Sequence, residues 1–260
     1  MESGSNQISV ESAAGIMWIR FCRPKAMNAL SSAMLDVITE AIDLAARDDD
    51  VRCVVFIGEG KAFCAGADLS AVPEGSDGLA AFIAKASATM SRIELLEKPV
   101  IACLNGLTLA GGLELALCAD IVVAAMSAQI GDGHVNFGFL PGAGGSVRLA
   151  RAIGPGRARF LLYSGQRLSA SDMERWGLVQ QVFEDSELRD QVAVLAARIA
   201  EHSPLVLRRL KALVASSLGG GIASLLAEEL AANVAHAGSY DMREGLAAFA
   251  EKRKPVFLGR

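Results

Sequence analysis

The sequence predicts an α/β fold in which parallel strands precede a helical C-terminal region. Near-continuous apolar runs of strand length occur at residues 51–57 and 100–104, as expected of parallel strands covered on both faces. Helical patterns alternate with these runs, which favours right-handed crossover connections. After about residue 141 strand patterns become sparse and helical patterns dominate.

The first elements are an early strand pair followed by a helix. Residues 15–21 read as a strand that pairs with residues 8–10 across a short turn. Residues 31–47 have helical spacing, and the three aspartates at 48–50 end that helix. The apolar face of this helix consists of Leu35, Ile38, Ile42 and Ala45.

Strand and helix then continue to alternate along the chain. The expected elements after strand 51–57 are a helix at 79–96, a strand at 100–104, a short helix at 111–118 and a strand at 121–124. Residues 179–183 form the last clear strand pattern.

Helices are expected throughout residues 201–260. An apolar stripe is formed by Ile222, Leu225, Leu226 and Leu230, a second helix covers 239–252, and the glycine run 219–221 reads as a turn. This tail must cover either the edge of the chain's own site or a neighbouring subunit.

Composition excludes several classes of protein. The chain has 260 residues, is 52% hydrophobic and carries a net charge of −4, which argues against a nucleic-acid-binding protein. Its five cysteines lack paired C-x-x-C spacing, so we expect buried, reduced thiols and neither a metal nor another cofactor. The sequence shows no signal peptide and no apolar run of membrane-spanning length, so we expect a cytoplasmic protein without a membrane partner.

The stretch 105–120 contains the most informative turn. An apolar strand leads to Gly111 and Gly112, and a short helix with Glu114 near its start follows. Glycine lets a ligand approach the backbone closely, and the first N–H groups of a helix have no internal partner. The Gly111 N–H beside the Glu114 carboxylate is therefore a candidate site for an oxyanion that forms while a proton moves.

A second glycine-rich loop, residues 58–69, follows the strand at 51–57. A phosphate-binding P-loop does not fit, because Ala62 follows Gly60-Lys61 and no glycine stands five residues before Gly60. The simplest alternative is an ordinary βα loop with Asp68 capping the next element. Since both loops follow strands, both can reach one ligand crevice.

Five segments together resemble the enoyl-CoA hydratase/isomerase (crotonase) family. They are residues 23–30, 62–69, 105–120, 141–146 and 249–255, in the family's order. The resemblance implies a spiral of ββα units, with a catalytic core at residues 1–200 and a helical trimerisation region at 201–260. It also implies a homotrimer or homohexamer that acts on an acyl-CoA thioester.

The resemblance also implies roles for individual residues. The backbone N–H groups of Ala67 and Gly111 take the positions that hold the thioester oxygen, and Glu114 takes that of the first catalytic glutamate. Without the resemblance, Glu114 would be read as a first-turn carboxylate that satisfies the helix dipole.

The position of the second catalytic glutamate holds His134 instead. His134 is either a hydrogen-bonded loop histidine without a chemical role or an acid–base group, since imidazole titrates near neutral pH. If the segment is extended, Asp132, His134 and Asn136 share one face, and Asp132 can orient the ring. The alternative is a turn.

The resemblance places basic residues near the phosphates of coenzyme A. These are Lys25 and Lys252, with the terminal lysines able to come from a neighbouring subunit. The backbone at Ala26, Ala65, Asp68 and Leu69 would hold the adenine and pantetheine. The alternative for the cations is a solvated turn and a helix C-terminus, which need no ligand.

The leading functional hypothesis is an enoyl-CoA hydratase, a lyase, in which Glu114 and His134 replace a pair of glutamates. A double-bond isomerase that uses Glu114 alone, and a thioester hydrolase or decarboxylase on the same oxyanion site, are the alternatives. A non-enzymatic alternative is a CoA-binding protein that keeps the fold but has little catalytic activity. A nucleic-acid-binding protein on this fold is disfavoured by the acidic net charge.

Overall fold

The computed structural model describes residues 7–71 and 76–260, and these form two sheets flanked by helices. The strands in chain order are β1 (Ile8–Ala13), β2 (Ile16–Phe21), β3 (Cys53–Gly58), β4 (Ala62–Cys64), β5 (Val100–Leu104), β6 (Leu107–Leu109), β7 (Ile121–Ala125), β8 (Gln129–Gly131), β9 (Leu168–Ser169) and β10 (Gln181–Phe183). The larger sheet has the order β1-β2-β3-β5-β7-β10, and the smaller sheet has the order β4-β6-β8-β9.

Most strand pairs are parallel, as the apolar runs predict. In the larger sheet only β1 and β2 run antiparallel, and Ile8 faces Phe21 in their register. In the smaller sheet β4, β6 and β8 are parallel and β9 is antiparallel to β8. The predicted strand at 15–21 and its partner at 8–10 are therefore confirmed.

The helices in chain order are α1 (Ser32–Arg47), α2 (Ser76–Leu95), α3 (Gly111–Ala116), α4 (Gly145–Ile153), α5 (Pro155–Ser164), α6 (Ala170–Trp176), α7 (Leu188–Ala200), α8 (Pro204–Ser216), α9 (Ile222–Ala237) and α10 (Tyr240–Glu251). Helix α1 begins where predicted because the Ser31 side chain accepts the Met34 N–H at 3.2 Å. Its predicted apolar face is buried. Among the described residues, three 3-10 turns occupy Pro24–Ala26, Leu69–Ala71 and His134–Phe137.

The ββα repeat becomes visible when the two sheets are followed together. A long strand of the larger sheet leads into a short strand of the smaller sheet three times, as β3 to β4, β5 to β6 and β7 to β8, and a helix follows each pair. This repetition confirms the predicted spiral. The short strands could not be located from the sequence, because three residues carry no readable period.

The hydrophobic core lies between the larger sheet and the helices that cover it. The Phe21 ring packs at a tilt against Phe56 and edge-to-face against Phe63, with ring centroids 6.1 and 5.5 Å apart. Four of the five cysteines are buried and all five are free thiols, as expected. Burial raises the pKa of Cys53 and Cys64 to about 12, so these thiols are unreactive at neutral pH.

The helical tail is much less buried than the region before it. Helix α9 has no buried residue, and its apolar side chains Ile222, Leu226, Leu230 and Val234 are all exposed. Lys211 on α8 anchors the tail through a 2.8 Å ion pair with Asp120. The division at residue 200 stays a prediction. Within the described residues, none of the helices combines the length and the apolar character that crossing a bilayer requires.

Candidate active site

The site forms where three parallel strands end at one edge of the larger sheet. The segments that follow β2, β3 and β5 meet there, as expected for strands that run in the same direction. Backbone bonds join the first two segments: the Ala65 N–H donates to Met27 O at 3.0 Å, and the Leu30 N–H donates to Gly66 O at 2.7 Å. The Leu107 N–H donates to Lys61 O at 3.1 Å, and a Cβ built on Gly111 would stand 3.5 Å from Gly66 Cα. The two glycine-rich loops predicted to share a crevice, residues 58–69 and 105–120, are therefore brought together.

Asn28 holds these two loops in place and was not singled out from the sequence. It is fully buried, and its side-chain amide donates to Glu59 O at 3.0 Å and to Ala62 O at 2.7 Å. Its Oδ1 accepts the Arg23 N–H at 2.9 Å. A φ of +56° at Asn28 fits a residue type that tolerates the left-handed region. In the sequence, the role of Asn28 is indicated only by the position of an asparagine between a predicted strand and a predicted helix.

Ala67 and Gly111, the two predicted amide donors, lie side by side. A Cβ built on Gly111 would stand 3.6 Å from the Ala67 nitrogen. Gly66 has a φ of +110° and packs against Ala110, which itself has a φ of +48°. Such backbone geometry concentrates at functional sites. Within the described part of the chain, no acceptor takes the N–H of Ala67 or Gly111.

Glu114 lies in the first turn of α3 with only 3% of its surface exposed. Its Oε1 accepts the backbone N–H of Ala143 at 2.7 Å and that of Gly145 at 2.9 Å. Burial raises the pKa of Glu114, although these two amides and the charge of His134 oppose the rise. The result is a carboxyl group that holds a proton more readily than a solvent-exposed glutamate does, which suits a proton-transfer role.

The second carboxylate oxygen of Glu114 remains available. Every buried side-chain nitrogen or oxygen among the described residues has a hydrogen-bond partner. Glu114 Oε2 accepts no bond from those residues, so this oxygen is not fully buried. The carboxylate is thus fixed through one oxygen and presents the other.

His134 is held by Asp132 rather than left as a free loop histidine. The ring Nδ1 lies 2.9 Å from Asp132 Oδ2, and the His134 N–H donates to Oδ1 at 3.1 Å. Asp132 is 1% exposed, whereas the His134 side chain is 15% exposed. Burial alone would lower the pKa of His134, but the hydrogen bond and charge of Asp132, with the charge of Glu114, produce a net rise.

Of the two alternatives for the segment around His134, the structure shows the turn, so Asn136 does not share a face with Asp132 and His134. Residues His134–Phe137 form a 3-10 turn between Gly133 and Gly138, both with positive φ. Asp132 still orients the ring, because it caps the turn. The Asn136 side chain donates instead to Gly165 O at 3.1 Å, next to α5.

The residues expected to bind coenzyme A occupy two separate places. The exposed Lys25 and the half-buried Ala26 lie in the first 3-10 turn, next to Ala65, Asp68 and the exposed Leu69. Asp68 pairs with Arg23 at 2.7 Å; a hydrogen bond from Ser70 and this pair lower the pKa of Asp68. Lys252 is exposed at the C-terminal end of α10, far along the chain from the other five residues.

The loop that binds Glu114 rests on residues that the sequence analysis did not single out. Arg148 Nη1 donates to Ala143 O at 2.7 Å, and the same guanidinium pairs with Glu94 on α2 at 2.6 Å. The glycine cluster at 142–145 is the signal that marks this loop in the sequence.

A second concave region lies away from these residues. A cavity of about 520 Å³ is formed between α1, the end of α2, the start of α8 and the C-terminal segment 258–260. Its lining includes Asp43, Arg92 and Arg208, which already form ion pairs with neighbours. None of the site residues described above lines it.

The ββα spiral, with unpaired amides next to a buried acid, is the architecture of an enzyme that stabilises an oxyanion during proton transfer. The family model for enoyl-CoA hydratase/isomerase matches residues 11–260. The chain belongs to the enoyl-CoA hydratase/isomerase family and is an acyl-CoA-processing enzyme.

Individual relatives agree with this assignment. The chain is 34% identical to the 2,3-dehydroadipyl-CoA hydratase of Escherichia coli, over 98% of this chain and 100% of the relative. It is 37% identical to the crotonyl-CoA hydratase of Syntrophomonas wolfei, over 92% of each. The crystal structure of an enoyl-CoA hydratase from Bacillus anthracis superposes with a TM-score of 0.94 at 35% identity, over 98% of this chain and 100% of that one.

Proposed function

We propose that the protein is an enoyl-CoA hydratase that uses Glu114 and His134 as its proton-transfer pair. The observation that carries this proposal is that Glu114 Oε2 and His134 Nε2 both lack partners among the described residues while their other polar atoms are fixed. Their charges also act on each other's pKa, as expected of groups that face one cleft.

The reaction begins with the thioester oxygen between the N–H groups of Ala67 and Gly111. Water bonds to the β-carbon, and the π electrons of the double bond move towards the thioester, whose oxygen gains enolate charge. Two preorganised amides in a water-poor cleft each stabilise such a charge by about 3 kcal/mol. Glu114 Oε2 accepts the proton that the water loses.

The second proton goes to the α-carbon from the His134 imidazolium at Nε2. The enolate then collapses to the 3-hydroxyacyl thioester. Glu114 holds the proton from water and His134 is neutral, so one proton passes from Glu114 to His134 through solvent and restores both groups. The addition consumes one water and leaves the net proton count unchanged.

The charge environment supports this division of roles. The Asp132 carboxylate lies against Nδ1 and raises the pKa of His134 above its usual value, which favours the imidazolium. Two amides on Oε1 stabilise the Glu114 carboxylate against the cost of burial. Asp132 therefore favours the cationic form of His134, and the two amides favour the anionic form of Glu114 against the effect of burial.

The binding and assembly expected from the family complete the proposal. Coenzyme A is held by backbone at Ala26 and 65–69, with Lys25 and Lys252 near its phosphates. The exposed apolar face of α9 supports assembly into a homotrimer or homohexamer, in which Lys252 can reach a neighbouring site. Five free cysteines support a cytoplasmic location.

The names of the relatives favour hydration over isomerisation. Two of them are hydratases of enoyl-CoA thioesters by name. An isomerase that uses Glu114 alone is the second candidate, and it is favoured by the deeper burial of Glu114 relative to His134.

The test is to incubate the protein with short, long, branched and aromatic enoyl-CoA thioesters in ¹⁸O-labelled water and in heavy water. Mass spectrometry should find a product heavier by one labelled water. Glu114→Gln should lower turnover by about 1,000-fold and His134→Ala by about 100-fold, while His202→Ala, at an exposed histidine, serves as the matched control.

Different labelling patterns in the product would identify the alternative functions. A shifted double bond with deuterium but no ¹⁸O identifies the isomerase, and release of free coenzyme A identifies the hydrolase. Tight binding without turnover identifies a CoA-binding protein. Unchanged turnover in His134→Ala removes His134 from the mechanism.

A further inference from the structure

The amides that bind Glu114 belong to a loop with little rigidity of its own. Residues 142–145 contain three glycines, and Gly144 has a φ of +101°. The two donors, the N–H groups of Ala143 and Gly145, lie on either side of the peptide that joins Ala143 to Gly144. The orientation of that middle peptide therefore controls where both donors point.

Arg148 binds that middle peptide directly. Its Nη1 donates to Ala143 O at 2.7 Å, and its Nε and Nη2 donate to Glu94 Oε2 at 3.1 and 2.6 Å. The guanidinium therefore joins three elements: its own helix α4, the loop and the end of α2. Its side chain is 15% exposed, which makes these charge-assisted bonds stronger than those on an open surface.

The loop is shaped to accept the guanidinium. A Cβ at Gly144 would overlap Arg148 Nη1, so a side chain there would displace the guanidinium, and the φ of +101° independently favours glycine. A Cβ at Gly145 would stand 3.2 Å from Glu114 Oε1, so the Glu114 carboxylate also packs tightly against the loop, on the side opposite Arg148. The loop is thus packed between the arginine and the catalytic carboxylate.

We propose that Arg148, braced by Glu94, is a positioning residue that holds the 143–145 loop so that its two amides face Glu114 Oε1. The arginine does not touch Glu114 through a hydrogen bond; it acts through the peptide between the two donors. Fixing Oε1 in this way turns Oε2 towards the cleft. The catalytic role of Glu114 rests on the proposed hydratase function, but the placement of its carboxylate does not.

The positioning has a measurable electrostatic consequence. Both amides favour the ionised form of Glu114 and oppose the effect of burial on its pKa. Loss of the brace loosens both amides, so the pKa of Glu114 rises further. The charged and titratable groups that act on this cluster are Asp132, His134, Arg148, Glu94 and Cys118.

The experiment compares Arg148→Met, Arg148→Lys and Glu94→Gln with Arg151→Met, which changes an exposed arginine on the same helix. The pH dependence of kcat, the Kd for butyryl-CoA and the melting temperature are measured for each. The Glu114 carboxyl is also titrated by ¹³C NMR with labelled glutamate, using Glu114→Gln to assign its signal.

We expect kcat to fall by about 10- to 100-fold in Arg148→Met, with an unchanged Kd for butyryl-CoA. The acid limb of kcat and the NMR titration of Glu114 should both move to higher pH by about one unit. Arg148→Lys and Glu94→Gln should show smaller shifts in the same direction, and Arg151→Met should show none.

A titration of Glu114 that stays at the wild-type pH in Arg148→Met overturns the proposal, even if the melting temperature falls. If Arg148→Met does not fold, Glu94→Gln and Arg148→Lys decide by the same titration. A wild-type protein that hydrates no thioester, yet shows the titration shift in these variants, refutes the proposed function and retains the positioning role.

Discussion

His134 Nδ1 lies 2.9 Å from Asp132 Oδ2, and the other oxygen of the same carboxylate accepts the His134 backbone N–H at 3.1 Å. Asp132 therefore binds one residue at two points, which fixes both the turn and the direction of the ring. With Nδ1 occupied, Nε2 is the ring nitrogen left for chemistry. The orientation of the His134 ring thus depends on a buried neighbour.

Asp132→Asn is expected to slow the reaction without weakening substrate binding. Loss of the negative charge lowers the pKa of His134, so the active imidazolium is lost at lower pH as the pH rises. The basic limb of the kcat profile should move down, and kcat at pH 8 should fall by about 10-fold or more. Asp185→Asn, which changes a carboxylate that caps Ser127 on the surface, is the control.

Glu114→Gln is expected to stabilise the fold, and more so at higher pH. Because the folded-state pKa of Glu114 is raised, its contribution to stability is complete below the unfolded pKa of about 4.3 and is lost as pH rises through the folded value. Glutamine keeps an acceptor for both amides but carries no charge. The gain in melting temperature should therefore be larger at pH 8 than at pH 4.5, and an equal gain at both pH values would contradict this expectation.

Gly111→Ala should remove activity while preserving the fold. The added methyl makes only ordinary contacts, the nearest at 3.5 Å from Gly66 Cα, but it stands 3.6 Å from the Ala67 nitrogen, where the thioester oxygen would sit. We expect kcat to fall by about 100-fold with a melting temperature near that of the wild type.

Two other glycines provide the comparison for Gly111→Ala. Gly156 is the second residue of α5 and has nothing within 4 Å of an added Cβ, so Gly156→Ala should be neutral in both assays. A methyl at Gly112 would overlap the Cys64 carbonyl, so Gly112→Ala should lower the melting temperature strongly. Full activity in Gly111→Ala would refute the amide pair as the oxyanion site.

His134→Glu alone should not produce an efficient hydratase, although it restores the family's pair of glutamates. The new carboxylate would lie against buried Asp132 and near Glu114, and like charges raise each other's pKa. Adding Asp132→Asn removes one charge, so the double variant should be about 10-fold faster than the single one. The measurement is crotonyl-CoA hydration at pH 7.5; a single variant as fast as wild type would contradict the argument.

Long elements and their ends were predictable because their physical signals are local. The apolar runs of β3 and β5 fill whole strands, and Ser31 caps α1 within three residues. The short strands β4, β6 and β8 depend instead on partners some 20 to 45 residues away in the chain. Their three-residue length gives no period, so only the family resemblance indicated the second sheet.

The chemical groups of the site were predictable, but their supports were not. Glu114, His134 and Asp132 stand in recognisable positions, and the structure places Asp132 on the histidine ring. Arg148 and Glu94 are 54 residues apart, and the amides of Ala143 and Gly145 have no side-chain signature. The sequence left an extended segment and a turn open for residues 132–136, and the turn that forms separates Asn136 from the other two.

The anchoring of Glu114 through Oε1 has a consequence for the stereochemistry of the product. A carboxylate held by two amides on one oxygen approaches the substrate from a single direction, and the ring held at Nδ1 does the same through Nε2. Under the proposed reaction, each new bond forms on one face of the planar enoyl group. Hydration in heavy water should therefore label one of the two prochiral positions at the α-carbon and yield one enantiomer of the alcohol.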